Sequence, residues 1–108
     1  MRVLLDESVP CALGFALDGH FVRTAQACGF AGLTNGKLLS SMKEQSFEVL
    51  ITCDQDLPYQ QKAQLPVAVI VLAAQDNRVS TTMAFVPQIL AQLANMRVGE
   101  LAVLKLQL

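Results

Sequence analysis

The sequence predicts an α/β domain in which a mostly parallel sheet of four to five strands lies between layers of helix. Three observations predict it. Short, nearly continuous apolar runs recur at 2–5, 48–52 and 67–72, and strands without polar alternation are buried on both faces, as parallel strands are. Segments with helical spacing alternate with these runs, the pattern of strands joined by crossovers. Two of the runs end in acids, as Leu4-Leu5-Asp6-Glu7 and Ile51-Thr52-Cys53-Asp54-Gln55-Asp56. In such sheets ligands bind just outside the carboxyl ends of the strands.

Each element has a local reason. The first strand, 2–5, leads into Asp6. Ser8 is placed to cap a short helix with Pro10 in its first turn. Gly14 weakens that helix, and Asp18-Gly19 closes it. A second strand is expected over 21–25, followed by a loop over 28–32 that carries two glycines. A helix over 35–45 follows from Leu38, Leu39 and Met42 at helical spacing, with Thr34 or Asn35 as its cap. The third strand is 48–52. The polar stretch 54–64 contains Pro58 and reads as loop with at most one helical turn. Pro66 opens the fourth strand, 67–72. Ser80 and Thr81 can cap a last helix bearing Val86, Ile89, Leu90 and Leu93, in which Pro87 marks either a kink or the true first turn. The run 101–106 is expected to be an edge strand.

The chain has 108 residues, the size of one domain, and 53% of them are hydrophobic. A domain this small buries about two-thirds of its unfolded surface. Some apolar residues are therefore expected outside, as an interface with a second copy or another protein. Eight Lys and Arg are scattered against nine Asp and Glu. No basic stripe forms, so nonspecific nucleic-acid affinity is expected to be weak. Cys11, Cys28 and Cys53 make no paired spacing, which argues for a reducing compartment and against zinc. Asp6 and Glu7 interrupt the first apolar run too early for a signal peptide, and no run is long enough for a membrane. A cytoplasmic location is expected.

The candidate site follows from the acids. Asp6, Glu7, Asp54 and Asp56 fall on one rim of a parallel sheet, where mutual repulsion calls for a hard cation such as Mg²⁺ or Mn²⁺. Spaced two apart on an extended chain, Asp54 and Asp56 would point the same way together with Thr52. The competing readings are helix capping for Glu7 and an Asx turn for the Asp54–Asp56 pair. Lys37 is a surface lysine by default, although a cation in a first helical turn opposes the dipole. Arg78 reads as a solvated residue on the same rim, able to meet a phosphate. Tyr59, Gln60 and Gln61 are polar candidates for the crevice. His20 has no partner at metal or triad spacing, and Cys53 reads as an inert packed thiol.

These residues resemble a known family. Val3-Leu4-Leu5-Asp6-Glu7-Ser8-Val9-Pro10 is similar to the opening of small bacterial PIN-like proteins, relatives of the toxin ribonucleases of toxin–antitoxin pairs. The resemblance continues through Val22-Arg23-Thr24, Gly29-Phe30-Ala31-Gly32-Leu33-Thr34-Asn35-Gly36-Lys37-Leu38-Leu39, Leu50-Ile51-Thr52-Cys53-Asp54-Gln55-Asp56-Leu57, Tyr59-Gln60-Gln61 and Asn77-Arg78. It spans nearly the whole chain. It implies a three-layer, Rossmann-like α/β/α domain over 1–108 and hydrolysis of RNA by water activated on Mg²⁺ or Mn²⁺. Asp6, Asp54 and Asp56 would be catalytic and, with Glu7, metal-binding. Thr52, Asn35, Lys37, Arg78 and Gln60 would meet substrate, and an antitoxin would be a natural partner.

The sequence departs from the family at Asn35, Gly36 and Lys37, where relatives carry an acid. A lysine there removes a ligand and repels a cation by several kcal/mol at an effective dielectric of ~20. The alternative is thus a degenerate PIN-like module that catalyses nothing and binds a protein. A third reading is a phosphoacceptor receiver domain with Asp54 as acceptor and a late Lys105. It ranks last, because the fourth strand ends in Leu72-Ala73-Ala74 with no hydroxyl.

Overall fold

Every apolar run of the sequence is a strand in the computed structural model, which describes residues 1–60 and 64–106. The side chains of Tyr59 and Gln60 lie outside that description, as do residues 61–63 and 107–108. The order is β1 (Arg2–Leu5), a 3₁₀ helix (Cys11–Ala16), β2 (Phe21–Thr24), α1 (Asn35–Glu44), β3 (Val49–Thr52), α2 (Leu57–Gln60), β4 (Ala68–Leu72), α3 (Val79–Met83), α4 (Val86–Leu93) and β5 (Leu101–Leu104). All five strands join one sheet in the order β2-β1-β3-β4-β5, and every pairing is parallel. The Cα radius of gyration is 12.5 Å, as expected for a compact chain of this length.

The three inner strands show why their sequences carry no polar alternation. Val3, Leu5, Val49, Ile51, Ala68, Ile70 and Leu72 face one core, packed by Leu13 and Leu17 near the 3₁₀ helix and by Phe85, Ile89 and Leu93 around α4. Leu4, Leu50, Val69 and Val71 face the other, packed by Leu38, Leu39 and Met42 of α1 with Phe47 and Leu57. Successive side chains of a strand point to opposite faces, so a strand covered on both sides has no place for a polar residue. Thr52 is the exception, fully buried at the end of β3.

Local chemistry decides where the elements depart from expectation. The segment after Pro10 is a 3₁₀ helix, and its N-cap Pro10 offers no side-chain hydrogen bond. Ser8 does not cap it, because its hydroxyl is engaged with Asp6. Gly14 belongs here for space: a Cβ on it would approach Val22 Cγ1 to 3.1 Å, so the absent side chain lets the helix lie close on β2. Thr34 is the N-cap of α1. The last helical region splits into α3 and α4, and Pro87 occupies the first turn of α4, where its missing N–H costs nothing. β5 is an edge strand and ends at Leu104, two residues before the expected boundary. Among the described residues, no helix is long and apolar enough to cross a membrane.

Two outcomes test this packing. Phe85 is the largest fully buried side chain, so Phe85→Ala is expected to lower unfolding free energy by about 3–5 kcal/mol in a denaturant titration. Asp76 accepts the Arg78 N–H at 3.0 Å. That bond, then the Thr81 hydroxyl, hold its carboxyl below the ordinary carboxylate range. A depressed folded value means the contribution is present at neutral pH and is lost as pH falls through that value. The melting-temperature gap between the natural chain and Asp76→Ala is therefore expected to close on acidification.

Candidate functional site at the carboxyl ends of the central strands

The site is built where the chain changes direction. From β1 the chain moves to β2 on one side, then crosses to β3 on the other and continues outward to β4 and β5. The crevice at such a switch point lies above the carboxyl ends of β1 and β3. Asp6 and Thr52 stand at those two ends. Register places them: Leu5 pairs with Ile51, and the Asp6 N–H continues the ladder to the Ile51 carbonyl at 3.0 Å.

Two hydroxyls then hold one carboxylate oxygen. Asp6 Oδ2 accepts from Ser8 Oγ at 2.7 Å and from Thr52 Oγ1 at 2.9 Å. Each hydroxyl also accepts a main-chain N–H from the segment leaving β3: Cys53 N to Ser8 Oγ at 3.0 Å, and Asp54 N to Thr52 Oγ1 at 3.0 Å. A hydroxyl has a single proton to donate. With both protons directed at Asp6, the 3.4 Å approach between Ser8 Oγ and Thr52 Oγ1 carries no third bond. Thr52 therefore joins the end of β1 to the end of β3 and keeps its buried oxygen satisfied.

Asp54 sits just beyond this junction. Its Oδ2 accepts from Asn35 Nδ2 at 3.3 Å, which ties the first turn of α1 to the end of β3. Its Oδ1 accepts from Asp56 N at 2.9 Å, an Asx turn, and its carbonyl receives the Leu57 N–H at 3.3 Å. The chain therefore turns after Asp54, as the Asx-turn reading has it, and is not the extended stretch on which a shared direction of Asp54 and Asp56 rests. Asp56 instead lines a groove of about 620 Å³ with Pro58, Val71, Val103 and Lys105. Glu7 is also drawn aside: its Oε1 accepts the Gly32 N–H at 2.6 Å. It caps no helix and pins the loop before α1, where Gly32 holds φ +80°, a conformation that suits glycine.

The remaining candidates take simple positions. Lys37 is exposed in the first turn of α1, and its N–H reaches the Thr34 cap at 3.5 Å. Arg78 is exposed at the N-cap of α3, in the connection leaving β4. The side chain of Gln60 and all of Gln61 lie outside the described residues. Lys105 lies at the groove with Asp56, whereas the receiver reading pairs it with Asp54. Burial, and second the negative charge of Asp6, push the Cys53 thiol up. Cys53 is thus a protonated thiol at neutral pH and no nucleophile.

The free oxygens of the carboxylates determine how they can serve a hard cation. Asp6 Oδ1 accepts no hydrogen bond from the described residues, and each Asp54 oxygen accepts one. Mg²⁺ keeps several waters and takes one or two carboxylates, and of these two acids Asp6 has the oxygen left open. Among the described residues, no group of three or more His, Cys, Asp or Glu side chains is arranged to hold a metal. Ser8 is the site residue that pattern reading missed. Its signal was the Asp6-x-Ser8 spacing, which lets a hydroxyl turn back onto the acid two residues before it.

No protein-family model matches the chain, and neither a curated protein nor a solved structure matches it. The fold is thus the level at which comparison leaves it: a parallel α/β domain of five strands.

Removing the central hydroxyl tests the network. Thr52→Val keeps the shape but leaves the Asp54 N–H without an acceptor and Asp6 with one donor fewer. A loss of about 1–3 kcal/mol is expected by chemical denaturation. A Thr52→Val chain as stable as the natural one would mean that the hydroxyl is dispensable.

Proposed function

We propose that this chain is a PIN-like ribonuclease that hydrolyses RNA phosphodiesters with Mg²⁺ or Mn²⁺, acting as the toxin half of a toxin–antitoxin pair. One observation carries the reading: the Asp6 carboxylate and the main-chain N–H of Asp54 meet at the Thr52 hydroxyl, at the switch point of the sheet. Asp6 and Asp54 would hold the ion, partly through its waters. The bound cation would supply an acidified water and neutralise charge on the phosphate. Ser8 and Thr52 keep Asp6 oriented, and Asn35 does so for Asp54. Lys37 and Arg78 are exposed cations for flanking phosphates, with Gln60 as a further polar contact. Glu7 and Asp56 serve in this reading as outer groups that attract the hydrated ion.

A second reading has its own observation. Lys37 stands where the resemblance calls for an acid, and no trio of metal-binding side chains forms among the described residues. Both favour a non-catalytic member that works by binding a protein. One experiment separates the two. The natural chain, Asp6→Asn, Ser8→Ala and Lys37→Glu are titrated with Mn²⁺ by calorimetry and incubated with single-stranded RNA. The ribonuclease reading expects binding and cleavage by the natural chain and loss of both in Asp6→Asn. It also expects a roughly 10–100-fold loss in Ser8→Ala, the usual effect of removing a group that orients a ligand. A natural chain that binds no Mn²⁺ and cuts nothing, while Lys37→Glu gains binding, decides for the non-catalytic reading.

A further inference from the structure

The two edges of the sheet are finished differently. Phe21 at the start of β2 and Ala25 just past its end turn their N–H groups to the Met1 and Leu5 carbonyls, at 3.0 and 2.8 Å, so the odd-numbered residues bond to β1. Val22 and Thr24 therefore face outward, and both of their carbonyls are taken. The Arg23 guanidinium donates to the Val22 carbonyl at 3.1 Å, and the Cys28 N–H donates to the Thr24 carbonyl at 3.2 Å. A charged side chain and a covering turn are common devices for blocking an edge.

Among the described residues, β5 has neither device. The Glu100 and Leu104 carbonyls accept from Val69 and Ala73, both at 2.9 Å. The even-numbered residues thus bond to β4, and the main-chain groups of Leu101 and Val103 point away from the sheet. No other hydrogen bond of either residue is present among the described residues. The same two residues carry exposed apolar side chains, at 42% and 47%. They lie beside Val69 and Val71 on the α1 face of the sheet, which the described residues cover over β4 but not over β5. Open main-chain groups and uncovered apolar side chains coincide on alternate residues of one edge.

We propose that β5 pairs antiparallel with β5 of a second copy, so that two sheets become one of ten strands around a two-fold axis through Ala102. A two-fold interface must match itself, and this strand does so in one register. Leu101 then stands opposite the partner's Val103, and Val103 opposite the partner's Leu101. Each pair exchanges two main-chain hydrogen bonds and sets apolar side chains against each other. Lys105 falls opposite the partner's Gly99, so no like charges meet. A slip of two residues one way sets Lys105 against the partner's Leu101, and the other way leaves Val103 facing the partner's Gly99. Either slip breaks the apolar match that selects register. The partner's Leu101 reaches the lip of the groove lined by Val71, Pro58 and Val103, which gives it a seat. This proposal does not depend on the reading of the acids.

Light scattering of the full chain is expected to give the mass of two copies. Val103→Lys and Leu101→Lys are each expected to give one copy with an unchanged circular dichroism spectrum. Val98→Lys, at an exposed residue outside the strand, should remain a dimer. Ala102→Cys tests the register. Opposed residues of a pair without hydrogen bonds lie about 4.5 Å apart at Cα, within disulfide range, so diamide should link the two copies of this variant but not the natural chain. A monomeric natural chain overturns the proposal, and so does one that pairs only with a different polypeptide. A dimer indifferent to Val103→Lys, or an Ala102→Cys chain that does not cross-link, places the contact elsewhere and overturns it too.

Discussion

The pairing of β1 with β3 is the constraint on which the rest depends. Val3, Leu4 and Leu5 lie opposite Val49, Leu50 and Ile51, and all six are fully buried. Both strands are covered on both faces. A slip of one residue would send each side chain to the wrong core. The same register fixes where the strands end. It sets Asp6 against the end of β3, so that the hydroxyl of Thr52 reaches its carboxylate. Packing of apolar side chains thus determines the position of a polar group that packing itself does not need.

At that junction the polar chemistry is economical. Ser8 and Thr52 each donate one proton to Asp6 and each accept one main-chain N–H. A carboxylate drawn between two chain segments by two hydroxyls becomes a fixed charge at the switch point of the sheet. Asp54 is held in a different way, by the amide of Asn35 and by the turn that it starts. The loop before α1 is drawn in from the other side by Glu7. Three separated stretches of sequence therefore meet around the ends of two strands. The acids that lead outward from this centre, Glu7 and Asp56, shape its borders.

The surplus of apolar residues found in the sequence has two destinations. Most enters the two cores on either face of the sheet. The remainder surfaces in places such as Phe15, Val98, Leu101 and Val103. Phe21 illustrates how an exposed ring can be occupied within the chain: the Arg2 and Arg23 guanidinium carbons lie 4.4 and 4.2 Å from its centroid. Such cation–π contacts, with the guarded carbonyls of β2, make that edge self-contained. No comparable device covers β5 among the described residues.

By itself the sequence determined the strands, their order along the chain and their burial. Continuous apolar runs such as Ala68–Leu72 exclude a solvent-facing side, whatever the neighbours are. It also determined that Asp6 and Asp54 leave the same ends of their strands, because parallel strands point one way. Helix character was less legible. Ser8 and Pro10 have the form of a helix start, yet a hydroxyl bonds the nearest good acceptor, and that acceptor was a carboxylate two residues back. For Asp54 and Asp56 the Asx turn prevails over the extended chain for a similar reason: an acid at the start of a turn bonds its own backbone. Only the tertiary structure decided that Thr52 links the Asp6 carboxylate to the Asp54 main chain, that Asp56 lines a groove with Lys105 and that, among the described residues, one sheet edge is closed while the other is open. These depend on register and strand order across the sheet, and contacts between residues as far apart in the chain as Asp6 and Thr52 leave no trace in local pattern.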